Sequence, residues 1–126
     1  MLKYEKHNEL ALQNIKVKIT SKGKTGMNKK IKTEAVDHLF EAILTLKSPE
    51  ECYAFFEDVC TVNELLSLSQ RYEVAKILRE KKTYLDIAER TGASTATISR
   101  VNRSLNYGND GYDMVFKRLG YQNEEK

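Results

Sequence analysis

Residues 91–104, TGASTATISRVNRS, concentrate the side chains of this chain that could make specific contacts: three Thr, three Ser and two Arg around Gly92, with isolated apolar residues at Ala93, Ile98 and Val101. No carboxylate occurs between Arg90 and Asp110, and Lys81 and Lys82 shortly precede the stretch. Hydroxyls and guanidinium groups without an acid among them suit hydrogen bonding to base edges and phosphates rather than covalent or acid-base chemistry. Elsewhere, catalytic or metal chemistry finds no support. Cys52 and Cys60 lie eight apart with only His7 and His38 besides, so no metal-ligand spacing is formed, and both read as ordinary thiols. No His stands near an acid as a dyad, and neither a GxSxG elbow nor a phosphate-cradling glycine loop is present. The carboxylate pairs Glu50/Glu51 and Glu57/Asp58 read as helix caps and solvated faces. The chain is therefore expected not to be an enzyme and to need no cofactor.

The elements that would position these residues follow from pattern. At 126 residues and 40% hydrophobic, with one Pro and six Gly in a Leu/Glu/Lys-rich chain, the composition predicts one small, all-α domain. Val36, Leu39, Phe40, Ile43 and Leu44 recur at helical spacing and predict a first helix over about 30–47. SPEE (Ser48–Glu51) supplies an N-cap, a proline at the first helical position and a glutamate reaching back, and starts a helix to about Val59. TVNE (Thr61–Glu64) repeats the capping pattern ahead of a long helix to about Glu80, marked by Leu65, Leu68, Tyr72, Ala75 and Leu78. TYLD (Thr83–Asp86) starts a short helix to Thr91, Gly92 breaks it, and Ser94 caps the next to about Asn106. YGNDGY then separates a last helix near 111–120, making about six.

Residues 84–103 have helix-turn-helix spacing: Ala88 inside the first helix, Gly92 at the turn, Ile98 and Val101 where the second helix docks, and Ile87 and Ala93 filling the crevice. At about 100° per residue, Ile98, Val101 and Leu105 fall on one side of the second helix. Ala96, Ser99, Arg100 and Arg103 fall on the other, with Thr95 at its edge. Thr95, Ala96 and Ser99 are small enough to enter a major groove about 12 Å wide, with Arg100 and Arg103 placed for phosphates or guanine.

Charge does not make this a generally basic surface. Residues 1–32 carry nine Lys against Glu5 and Glu9, a balance of +7, whereas residues 33–126 hold 12 basic and 16 acidic groups, a balance of −4. Only local charge can argue for nucleic acid. Residues 1–26 alternate Ile15, Val17 and Ile19 with Lys16, Lys18 and Thr20 like a lone strand, then dissolve into Lys, Gly, Ser and Thr. They read as a mobile basic extension, or as a basic arm on nucleic acid, ahead of a DNA-binding domain over 27–126. No apolar run approaches the roughly 18 residues of a membrane span and no signal-peptide core is visible, so no membrane partner and a cytoplasmic location are expected.

LLSLSQRYEVAKILRE, TYLDIAERTGASTATISRVNRSLNYG and the upstream SPEECYAFFEDVCTVNE resemble the tryptophan repressor superfamily, in its Trp-repressor-like YerC/YecD branch, over about residues 28–120. The resemblance implies an interlaced homodimer presenting two separate reading heads, and a transcriptional regulator of double-stranded DNA. It also implies a place for an indole corepressor, onto which Thr61, Arg71, Thr97, Arg100 and Ser104 map. Thr97, Arg100 and Ser104 form an i, i+3, i+7 stripe compatible with a pocket wall. Val101, however, stands where the repressor carries a glycine against the ligand. A β-branched side chain there would fill an indole-sized slot, at about 1–3 kcal/mol if a ligand forced it aside. Matching Arg71 also requires a one-residue gap near Lys81. Three readings follow: a DNA-reading dimeric regulator, a helix-turn-helix that docks on another protein, and a repressor gated by a small aromatic corepressor.

Overall fold

The computed structural model describes residues 28–121. The expected basic extension over 1–26, with its Ile15/Val17/Ile19 alternation, lies outside the described residues. Within them stand six helices and no strand: α1 (Glu34–Ile43), α2 (Pro49–Val59), α3 (Val62–Arg79), α4 (Tyr84–Thr91), α5 (Thr95–Tyr107) and α6 (Gly111–Arg118). They divide into two compact units, one up to Phe56 and the other from Glu57.

Helix starts are set by hydroxyl caps, each satisfying one of the N–H groups that a helix leaves unpaired in its first turn. The Thr33 hydroxyl accepts from the Val36 amide at 3.1 Å, Ser48 from Glu51 at 3.2 Å, and Thr83 from Asp86 at 3.1 Å. Thr61 forms a reciprocal capping box, its hydroxyl accepting from Glu64 N at 3.1 Å while Glu64 Oε1 accepts from Thr61 N at 2.9 Å. Hydrogen bonding from Thr61, its backbone N–H first and its side chain second, holds the Glu64 carboxyl below the ordinary carboxylate value. Glu51 reaches back past its cap to the Lys47 amide at 3.1 Å.

The first helix is shorter than its periodicity predicts, running Glu34–Ile43 rather than about 30–47. Thr33 caps it later than expected. At the other end Thr45 and Leu46 turn back onto the Ala42 and Ile43 carbonyls, ahead of Ser48, which Pro49 disfavours as helical. Its apolar side is also not covered as periodicity suggests: Leu39, Phe40 and Leu44 are exposed, at 36%, 44% and 54%, whereas Glu41 is the helix's buried residue.

In the second unit, α3 is the spine on which the last three helices pack. Val74, Ala75 and Ile77 of α3, Ile87 of α4, Ala93 of the following turn, Ile98, Val101 and Leu105 of α5, and Phe116 of α6 form one buried cluster, with Tyr72, Leu78, Ala88 and Tyr112 packed against it. Phe116 is wedged among aromatic rings, with centroids 5.5 Å from Tyr72, 6.2 Å from Tyr112 and 5.9 Å from Tyr121, and Lys76 Nζ lies 4.8 Å over the Tyr121 ring. Burial and then the Tyr121 neighbour push the Tyr72 phenol up from its ordinary value. No helix among the described residues is long and apolar enough to cross a membrane.

Candidate nucleic-acid interface

The turn between α4 and α5 is built from backbone requirements that the sequence meets locally. Gly92 takes φ 71°, ψ 6°, and its N–H donates to the Ala88 carbonyl at 2.8 Å. A Cβ at this position would meet nothing within 4 Å, so the left-handed backbone, and not space, selects glycine. The Thr91 hydroxyl donates to Ile87 O at 2.6 Å and accepts from Ala93 N at 3.2 Å, closing the turn from inside. Ser94 then caps α5, accepting from Thr97 N at 3.1 Å and donating to Thr97 Oγ1 at 3.0 Å. From outside, Gln70 of α3 donates its Nε2 to the Thr91 carbonyl at 3.1 Å, tying the end of α4 to the spine.

The two faces of α5 separate as its periodicity predicts. Ile98, Val101 and Leu105 are buried, at 0%, 2% and 3% exposure, and Ile87 and Ala93 fill the crevice beside them. Thr95, Ala96, Ser99, Arg100 and Arg103 are all exposed. Among the described residues neither Arg100 nor Arg103 makes an ion pair, and α5 contains no acidic residue. Residues 94–105 thus hold an apolar docking face, a hydroxyl cap and an outward face of small polar and cationic groups.

The C-terminal end of α5 is fastened by residues that no sequence pattern singles out. Arg79, the last residue of α3, grips Asp113 of α6 with a two-pronged fork, Nε to Oδ1 at 2.8 Å and Nη2 to Oδ2 at 2.6 Å. The same Nη2 donates to the Leu105 carbonyl of α5 at 3.3 Å. The hydrogen bond to Asp113 pushes the Arg79 guanidinium still further toward its charged form, against a smaller opposing effect of burial. Just beyond, the Gly108 amide donates to Ser104 O at 2.9 Å. A Cβ on Gly108 would collide with that same carbonyl, so the chain can leave α5 this tightly only at glycine.

The five residues mapped onto a corepressor site are disposed differently. The Thr61 hydroxyl is engaged in its capping box, and the Thr97 hydroxyl takes the Ser94 bond. Arg71 is half-buried on α3, while Arg100 and Ser104 are exposed on α5. Val101 is buried within the core cluster. A groove of about 440 Å³ does open in this unit, but Leu66, Gln70, Glu73 and Ile77 of α3 and Arg90 and Thr91 of α4 line it, and none of the five does. Beside it, Arg90 pairs with Glu80 at 3.3 Å at the surface.

Among the described residues, six helices without a strand, with a short pair around Gly92 docked on a long third helix, make an all-α fold, and comparison with known proteins identifies it as of Trp-repressor type. Residues 34–120 match the family of the Trp repressor protein. The uncharacterized protein YerC of Bacillus subtilis is 59% identical over 90 residues, 71% of this chain and 86% of that one. A crystal structure of a TrpR-like protein from Eubacterium eligens is 75% identical with a TM-score of 0.73, covering 79% of this chain and 100% of its own. A structure provisionally assigned as a Trp repressor from Staphylococcus aureus is 52% identical with a TM-score of 0.75, again over 79% and 100%. The chain belongs to the Trp repressor family, in its Trp-repressor-like YerC branch, and that is a family of regulatory DNA-binding proteins and not of enzymes.

Proposed function

We propose that the protein is a homodimeric, sequence-specific transcriptional regulator that reads the DNA major groove with α5, as the second helix of a helix-turn-helix formed by α4 and α5. The observation that carries this reading is the outward face of α5: five exposed residues, small and polar at the N-terminal end and cationic further along, with no carboxylate, on a helix whose opposite side is locked into the core. Thr95, Ala96 and Ser99 face base edges, where hydroxyls and a methyl discriminate base pairs, and Arg100 and Arg103 hold phosphates or guanine. A solvated helix face with no ligand would be expected to mix in Glu or Asp.

The dimer is supported by apolar side chains that a lone chain leaves to solvent. Leu39, Phe40 and Leu44 are exposed in the first unit, and Val62, Leu66 and Leu68, at 73%, 59% and 51%, in the second. Exposed apolar surface of this kind on a small chain is what a second copy covers. Two reading heads then meet half-sites one helical turn, about 34–36 Å, apart. A corepressor is not part of this reading, because Val101 occupies core volume and the Thr61 and Thr97 hydroxyls are already engaged.

Selection of bound sites from random duplexes with the purified protein, with and without added amino acids, tests the reading. A ligand-independent consensus with two related half-sites is expected. No enrichment would favour docking on another protein instead, and enrichment only with tryptophan would restore the corepressor.

A further inference from the structure

We infer that Arg79 and Asp113 form a clamp that sets the orientation of α5 on α3, and thereby decides which base edges the outward face of α5 meets; the second part rests on the DNA-reading role proposed above. Arg79 stands where α3, α5 and α6 meet. It closes α3, its fork holds Asp113 in the first turn of α6, and its remaining reach goes to the Leu105 carbonyl near the end of α5. Both side chains are half-buried, at 30% and 36% exposure. A planar guanidinium paired in two-point fashion with a carboxylate fixes direction as well as distance, which a lysine at the same position cannot do.

Ile98, Val101 and Leu105 hold the apolar side of α5 in the core, and the polar contacts at its two ends differ. Its N-terminal half is held by the Ser94 cap, the Gly92 turn and Gln70. Its C-terminal end has no basic residue in the last turn, where a cation is favourable beside the carbonyls that a helix leaves unpaired. Arg79 comes from α3 to supply one. The α6 helix that supplies Asp113 starts without a side-chain cap, at a left-handed Asp110. It is fixed instead by Phe116 in the aromatic cluster and by the Arg79 fork. Arg79 and Asp113 are thus positioning residues: neither belongs to the outward face, and both act through the direction in which that face points.

The test uses the full chain, Arg79→Lys, which keeps the charge and stem but loses the fork, and Asp113→Asn, which keeps the shape but loses one acceptor charge. Backbone residual dipolar couplings are measured without DNA at a temperature where circular dichroism shows each protein folded. Affinities are then measured for the selected duplex and a scrambled one. In both variants the couplings of α5 should no longer fit the wild-type orientation relative to α3. Discrimination between the two duplexes should fall about tenfold, the worth of one well-placed base contact. Affinity for the scrambled duplex and its salt slope should be unchanged in Arg79→Lys, because Arg100 and Arg103 keep their charges. Wild-type α5 couplings in both variants, with only a lower melting temperature, would overturn the clamp. Absence of discrimination in the wild-type protein would instead overturn the DNA reading, and the α5 couplings would still decide the clamp.

Discussion

Ile98 and Ser99 are neighbours in the chain and opposites in the structure, and exchanging each for alanine should separate folding from recognition. Ile98 is fully withdrawn from solvent, at 0% exposure, in the cluster that holds Val74, Ile77, Ile87 and Val101. Ile98→Ala removes three carbons from a site walled by elements of α3, α4 and α5, so collapse around the void is limited. The cost should be about 3 kcal/mol, within the range of roughly 2–5 for such truncations. With a urea dependence near 2 kcal/mol per molar, the unfolding midpoint should drop by about 1.5 M. Ile98→Val, which removes one carbon, should cost only about 1 kcal/mol. Ser99 is exposed, and the hydrogen bonds described for the Gly92 turn and the α5 cap do not involve it. Ser99→Ala should therefore move stability by no more than about 0.5 kcal/mol, since alanine is also the better helix former. Its effect should fall on the relative affinities for duplexes changed at one position, by about 1–3 kcal/mol. Urea titrations followed by circular dichroism at one fixed protein concentration, which an associating chain requires, and competition binding on a panel of single-position duplexes read the two effects. An Ile98→Ala midpoint within about 0.5 M of wild type, or a Ser99→Ala variant that loses stability and leaves sequence preference untouched, would refute the assignment of faces on α5.

Further expectations concern charge, backbone and pH. Arg103→Ala should weaken binding to every duplex and lower the salt slope by about one, measured as affinity against salt concentration; identical binding at all salt concentrations would remove its phosphate role. Gly92→Ala should lower stability by about 1–2 kcal/mol purely through its left-handed backbone, since the position is otherwise open; calorimetry reads this, and an unchanged melting temperature would contradict it. The Glu64 carboxyl is held below its ordinary value of 4.5 by Thr61. A depressed folded-state value means that its contribution is complete above 4.5 and is lost as the pH falls from there through the folded value. Stability–pH curves should show a smaller acid loss in Glu64→Gln than in wild type, and coincident curves would deny the capping box that role.

Local signals in this chain are legible in the sequence because they act over three or four residues. Thr33, Ser48, Thr61, Thr83 and Ser94 each meet an amide three positions on. Of these, Ser48, Thr61, Thr83 and Ser94 stand out from sequence, and with them the starts of four helices. The division of α5 into Ile98/Val101/Leu105 and Thr95/Ala96/Ser99/Arg100/Arg103 follows equally from a periodicity that the helix itself imposes. Gly92 was identifiable because a left-handed turn has few tenants. Where the pattern misleads is α1: its apolar spacing suggests a buried face over a longer helix, yet Leu39, Phe40 and Leu44 are exposed while Glu41 is buried. Periodicity records that a face is apolar and says nothing of which chain covers it.

The helices of the described residues, most of their caps and the face that α5 turns outward are legible in the linear pattern, since each of these rests on contacts within a turn or two. How that face is aimed depends instead on contacts between distant positions. Arg79 and Asp113 are 34 positions apart, Gln70 and Thr91 are 21 apart, and nothing local in any of the four announces its partner. Packing of α4 on α3 also opened the groove between them away from Thr61, Arg71, Thr97, Arg100 and Ser104. Contacts between distant positions form only after the helices have packed, so a linear pattern carries no trace of them.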